Sequence, residues 1–319
     1  MTTAITQARP AQLALFAERA RNYERASRSK RTLAEYARQW RLFCVWCEAR
    51  ELEAMPCPAE TLAQWLTERA HEVSISTLSV ALSAIAWIHT NSGNVTPTSD
   101  PRIKRLWEGI RRTHGQPQRQ VSPLTSVELR SVCTALPDSP IGVRDRVILT
   151  LGMGGALRRS ELAALEVRDV ERTKAGLVVL IRRSKTDQHG KGQRVGIARG
   201  RNRHTCPMRA LEAWLELSGL KRGRLLRRMS RSGRVLEAGL RGAAIAEVVK
   251  RSVERVGLES ARYSGHSLRS GLATSAAAAG KTDRAIMQQG RWRGREMVDR
   301  YVRDARLLDE ANASKGIGL

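Results

Sequence analysis

"GLVVLIRRSKTDQHGKGQRVGIA", residues Gly176–Ala198, is the stretch where the helical patterning of the second half of the chain gives way to a strand reading. Val178, Leu180 and Arg182 share one face of an extended segment, "QRVGIA" makes a second, and "TDQHGKG" is a loop with two glycines between them. A small β-hairpin is expected here, mounted on a helical domain.

Helical periodicity resumes after it, at "CPMRALEAWLELSGL", "AAIAEVVKRSVERVGL", "SLRSGLATSAAAAG" and "DRAIMQQG". Upstream, "TSVE" at Thr125–Glu128 has the pattern of a capping box that opens a helix. Before that box, "HGQPQRQVSP" (His114–Pro123) lacks apolar periodicity and carries glycine and two prolines, so it reads as a linker. Further back, the helix pattern beginning at Thr32 places Leu33, Tyr36, Trp40, Phe43, Cys44 and Cys47 on one face. Others follow at "AETLAQWLTERA", "SISTLSVALSAIAWIHTNSG" and "PRIKRLWEGIRRT". The expected fold class is mainly α in two domains. These are an N-terminal helical bundle over 1–115 and, after a linker at 116–123, a mostly helical domain over 124–319 carrying the small antiparallel hairpin.

A chain of 319 residues is long for one core, and its 56 basic against 31 acidic side chains give a net charge of +25. Self-repulsion on that scale implies a polyanionic partner, and a preponderance of arginine over lysine suits bidentate phosphate contacts. An arginine-rich composition inherited from a GC-rich genome is the competing explanation. Residues 1–115 hold 16 basic and 11 acidic side chains, and 116–319 hold 40 and 20, so the second domain carries most of the phosphate-binding capacity. No apolar run approaches a membrane span, and the first twenty residues do not read as a secretion signal, so a soluble, cytoplasmic protein is expected. Five cysteines do not make an even disulfide framework. "CVWC" at Cys44–Cys47 has metal-like spacing without a second pair, and core packing is the better reading.

Several residue pairs carry chemistry. The runs "ARGRNRH" and "KRGRLLRRMSRSGR" read as solvated surface or DNA-backbone contacts. In "GALRRSELAAL", Arg158 follows a glycine-rich turn and lies within reach of Glu161 one helical turn on. In "SGHSLRSG", His266 and Arg269 are three apart at the start of a helix, where the macrodipole favours an anion. Taken singly, these pairs also read as a surface ion pair and a capping histidine. Lys185, in the hairpin loop, is a possible proton donor, with Lys191 as its rival. Tyr301 stands among arginines in "GRWRGREMVDRYVRD" (Gly290–Asp304), and Tyr263 is its competitor. A phenol of pKa about 10 costs roughly 4 kcal/mol to ionise at pH 7, so a nucleophilic tyrosine needs cations and a base beside it. Two arginines, a histidine and a lysine supply that setting on a phosphodiester without a metal or other cofactor. No carboxylate cluster suited to two magnesium ions stands out.

Taken in order, "ALRRSEL", "RSKT", "SGHSLRSG", "GRW" and "DRYVR" resemble the catalytic boxes of the tyrosine recombinase (phage integrase) family. The resemblance covers nearly the whole chain, including a SAM-like, core-DNA-binding N-terminal bundle. It implies that Arg158 and Arg269 clamp the scissile phosphate, that His266 assists proton transfer, and that Lys185 is the general acid. Tyr301 is then the nucleophile. Trp292 stands where many members have a second histidine and donates its indole N–H, while Glu161 supports the first arginine.

The implied reaction is transesterification through a 3′-phosphotyrosyl bond and a Holliday junction, by a homotetramer on two double-stranded DNA sites, with neither ATP nor metal. Short inverted-repeat sites are expected, because the chain leaves little room ahead of the helical domain for a separate arm-binding domain. The tail "DARLLDEANASKGIGL" either packs into a neighbouring subunit or frays. Two other readings share parts of the pattern: a type IB topoisomerase, which relaxes supercoils without strand exchange, and a DNA-binding regulator without catalysis.

Overall fold

The computed structural model describes residues 10–116, 121–184, 187 and 191–306; Lys185 and the tail from Leu307 lie outside the described residues. The chain divides into two compact units, Met1–Gln118 and Arg119–Leu319, a division that falls inside the stretch read as a linker.

The first unit is a set of helices: α1 (Pro10–Ala26), α2 (Lys30–Glu48), α3 (Ala59–Arg69), α4 (Ile75–Asn91) and α5 (Pro101–His114). Side-chain caps set three of the starts. Ser29 accepts from the Thr32 N–H at 3.1 Å, Ser74 from the Thr77 N–H at 3.3 Å, and Asp100 from the Arg102 N–H at 2.7 Å ahead of Pro101. The apolar stripe of α2 divides in two. Tyr36, Phe43 and Cys47 enter the core with Trp65, Leu66, Leu78, Ile85 and Ile103, whereas Leu33, Trp40 and Cys44 stay half-buried. Phe43 meets Trp65 edge-on, with ring centroids 5.2 Å apart.

The second unit opens with α6 (Ser126–Thr134), whose capping box is complete: Thr125 Oγ1 accepts from the Glu128 N–H, and Glu128 Oε2 accepts from the Thr125 N–H at 2.7 Å. The central helix α7 (Pro140–Gly154) is buried along most of its length, and the short α8 (Arg159–Ala164) follows a tight turn. The expected hairpin is the larger part of a three-stranded antiparallel sheet in the order β1 (Val170–Thr173), β2 (Gly176–Ile181), β3 (Gln193–Ala198). Val179 stands opposite Val195. Val178 and Leu180 do share a face, but it is the outer one. The sheet seals the core with Leu177, Val179 and Ile181 from the alternate positions.

Next comes α9 (Pro207–Ser218), whose Trp214 donates its indole N–H to the Leu225 carbonyl at 2.8 Å. The run Lys221–Arg234, read as solvated surface or DNA-backbone contacts, keeps most of its arginines at the surface but is not all surface. Leu225 and Leu226 are fully buried, and β4 (Arg227–Met229) pairs antiparallel with β5 (Val235–Gly239). The unit finishes with α10 (Gly242–Glu254), α11 (Ser267–Ala278), α12 (Asp283–Gly290) and α13 (Glu296–Arg306). No helix among the described residues is long and apolar enough to cross a membrane.

Two contacts fix the helices that carry the site. Small residues Ala273 and Ala277 on α11 let Val298 and Val302 of α13 pack closely, which brings Tyr301 against the same cluster. On another side of α11, Gly271 leaves room for the entering chain: a Cβ there would lie 1.9 Å from the Leu124 carbonyl oxygen. The Leu124 N–H donates to the Ser267 carbonyl at 2.9 Å, so α11 is pinned near its first turn.

Candidate active site

The turn before α8 builds the first part of the site. Ala156 is held at φ 44°, in the left-handed region that a non-glycine residue rarely enters. Its carbonyl accepts from Arg269 Nη1 at 2.6 Å. Arg158 is the N-cap residue of α8, and Glu161, one turn on, grips it twice. One carboxylate oxygen accepts the Arg158 backbone N–H at 3.0 Å and the other accepts Nη1 at 2.6 Å. The Glu161 side chain is 1% exposed and that of Arg158 21%, so the carboxylate is sealed while the guanidinium faces outward. The pairing expected from the spacing is present, as an oriented and partly buried contact.

His266 occupies the N-cap position of α11 without capping it. The hydroxyls of Ser264 and Ser267 satisfy neighbouring backbone N–H groups instead, which leaves the imidazole available. Its Nε2 lies 2.8 Å from the Tyr301 hydroxyl on α13. The protein packed around the ring, and then the charges of Arg269 and Arg158, hold the histidine below its ordinary value. It is therefore neutral at pH 7 and can accept the phenolic proton. Burial raises the Tyr301 phenol above its ordinary value, against the opposing pull of Arg269 and Arg300, so the tyrosine does not ionise spontaneously.

Arg269 is 2% exposed, and burial, followed by repulsion from Arg158 and Arg291, brings its guanidinium down to about 9. It remains charged at neutral pH, but in an electrostatically unfavourable place that an added anion would relieve. Among the described residues, one terminal nitrogen, Nη2, is buried with no hydrogen-bond partner. The Trp292 ring lies under it, 4.3 Å from ring centroid to Arg269 Cζ, and Trp292 itself is 8% exposed. Gly290 makes that placement possible, since a Cβ at this position would collide with the indole.

The structure thus brings together Arg158, Glu161, His266, Arg269, Trp292 and Tyr301. Lys185 lies outside the described residues. Its rival Lys191 is exposed, and its backbone N–H donates to Asp187 at 3.2 Å. Tyr263, the competing phenol, is buried elsewhere. Its hydroxyl donates to Glu128 at 2.9 Å, and burial pushes it up to about 12.

The sequence reading missed Arg291. It adopts φ 56° at the end of α12, and its side chain, 6% exposed, donates to Glu161 at 2.7 Å and to the Ala156 carbonyl at 3.2 Å. Nothing in "GRW" marks such a residue, because its partners lie about 130 residues away.

A helical unit carrying a small sheet, with a tyrosine and a histidine set against buried arginines, points to one class of protein. The model of the phage integrase family matches residues 122–307, and the chain belongs to that family, the tyrosine site-specific recombinases. Over 288 residues it is 31% identical to an integrase/recombinase XerD homolog of Selenomonas ruminantium, covering 89% of this chain and 84% of that one. With the recombinase Cre of Escherichia phage P1 it shares 23% identity, covering 85% and 82%. The fold is also similar to that of lambda integrase(75-356), crystallised as a dimer bound to a COC' core site. The TM-score there is 0.57 at 15% identity, with 86% of this chain and 89% of that chain covered.

Proposed function

We propose that this recombinase cleaves and rejoins double-stranded DNA at specific sites with Tyr301 as the nucleophile. The observation that carries the reading is the 2.8 Å contact between Tyr301 and His266 beside the buried Arg269 and the Glu161-anchored Arg158. The phenolic oxygen attacks the scissile phosphorus and its proton passes to His266 Nε2. A 3′-phosphotyrosyl bond forms as the bond from phosphorus to the 5′ oxygen breaks, and Lys185 protonates the departing oxygen. Arg158 and Arg269 balance the charge that develops on the non-bridging oxygens, and the Trp292 indole N–H assists them. Glu161 keeps Arg158 in place. The 5′-hydroxyl of the partner strand reverses the step, so each bond broken is replaced by one of similar energy and no nucleotide is consumed.

On this reading residues 1–115 are a core-DNA-binding domain joined through a linker at 116–123 to a catalytic domain, 124–319. Four copies act on two inverted-repeat sites through a Holliday junction, in the cytoplasm and on the nucleoid. The family supports site-specific recombination, and the net charge of +25 supports a DNA partner. The test is trapping on nicked suicide DNA in EDTA without nucleotide. A protease-sensitive protein–DNA adduct is expected, and a strict Mg²⁺ requirement for cleavage would remove the mechanism. Recombinant products from two-site DNA would distinguish strand exchange from the relaxation carried out by a type IB topoisomerase.

A further inference from the structure

The strand-transfer reading gives Arg291 no role, yet the fold accepts several costs to place it. A long side chain in the left-handed region costs about 1 kcal/mol or more relative to glycine. Its guanidinium is also taken out of water, with Nε buried and without a hydrogen-bond partner among the described residues. An ordinary helix terminus would use glycine at this point. Strain of this kind, at a residue touching a functional cluster, calls for a functional explanation.

The contacts supply one. Glu161 Oε2 accepts both the Arg158 backbone N–H and Arg291 Nη2, while Oε1 accepts Arg158 Nη1. The Ala156 carbonyl accepts from both Arg269 and Arg291. Arg291 therefore ties together the anchor of Arg158 and the anchor of Arg269. There is an electrostatic consequence as well. A buried carboxylate that orients Arg158 also cancels its charge, and the cancelled charge is what a phosphate would feel. With Arg291 sharing the same carboxylate, Arg158 keeps its orientation and the cluster keeps its positive field.

We propose that Arg291 is a positioning residue for strand cleavage, fixing the spacing of Arg158 and Arg269 and offsetting the charge of Glu161. It acts through these groups and does not touch the phosphate. The proposal rests on the strand-transfer reading.

The test uses full-length protein and a nicked suicide duplex made from a fragment that the wild type captures covalently from a random DNA library. Arg291→Gly keeps the left-handed backbone without strain and removes the side chain with its guanidinium, while Arg291→Met keeps an apolar stem without the charge. Single-turnover adduct formation is expected to slow by about 10- to 100-fold, with half-site affinity within about threefold of wild type. Added guanidinium ion should recover much of the rate, and Arg291→Lys should cleave faster than Arg291→Gly. A folded Arg291→Gly that cleaves at the wild-type rate overturns the proposal, as does a loss confined to DNA affinity. Should Arg291→Gly not fold, Arg291→Lys must retain cleavage and Arg291→Met must lose it; equal rates overturn the proposal. A wild type that captures no DNA from the library removes the strand-transfer reading, and this proposal with it.

Discussion

The Tyr301 hydroxyl lies 2.8 Å from His266 Nε2, a contact between the N-cap of α11 and the face of α13. Because His266 is held below its ordinary value of 6.5, its base form predominates at neutral pH. The rate of DNA capture at subsaturating DNA, which reports the free enzyme, should be flat above about pH 7 and fall through a range below 6.5 as the imidazole gains its proton. His266→Gln should be slow and lack this acid limb. An acid limb of unchanged midpoint in His266→Gln would assign the titration to another group.

Glu161 is the carboxylate on which two guanidiniums converge, and its side chain is 1% exposed. Its removal leaves Arg291 buried without a counter-ion. Glu161→Ala should therefore lose about 3–5 kcal/mol of stability, the range for stripping one partner from a buried ion pair. Urea denaturation measures this, and a loss below about 1 kcal/mol would show that the cluster relaxes into solvent.

Gly290 has no side chain where the Trp292 indole must lie, and an added Cβ would overlap the ring. Gly290→Ala should displace the indole from Arg269 and slow adduct formation by about tenfold or more. Combined with Trp292→Ala, it should add little further loss, since both changes remove the same support. Full additivity in this cycle would separate the two effects.

The general acid can be assigned through the leaving group. If Lys185 protonates the 5′ oxygen, Lys185→Ala should slow cleavage by about 10² to 10⁴. DNA with a bridging 5′ sulfur, which leaves without protonation, should restore the rate. Arg158→Ala and Arg269→Ala should not be rescued, because sulfur at that position does nothing for the non-bridging oxygens. Rescue of Lys191→Ala alone would move the acid six residues along the loop.

Local patterns reported what local physics decides. The i, i+3 spacing of Arg158 and Glu161 marked their contact, "TSVE" marked the start of α6, and the apolar periodicity of α2 and α4 marked two helices of the first unit. What was lost depends on distant partners. β1 consists of the residues "VERT", too short and too charged to announce a strand, and it exists because β2 pairs with it. Leu225 and Leu226 sat unnoticed among arginines, because only the Trp214 indole and the core behind it make that segment internal. The inward face of β2 went unassigned, since a run of apolar residues has no alternation to show which face meets the core. Arg291 was invisible for the same reason. Its left-handed backbone and both of its anchors are set by the tertiary fold.

The identity of the nucleophile decides the mechanism. The decisive measurement is peptide mapping of the covalent adduct after exhaustive nuclease and protease digestion. We predict that the nucleotide remnant is on Tyr301, and that Tyr301→Phe binds the same DNA with nearly unchanged affinity while forming no adduct. A remnant on Tyr263 or any other residue, or an adduct that persists in Tyr301→Phe, would contradict it.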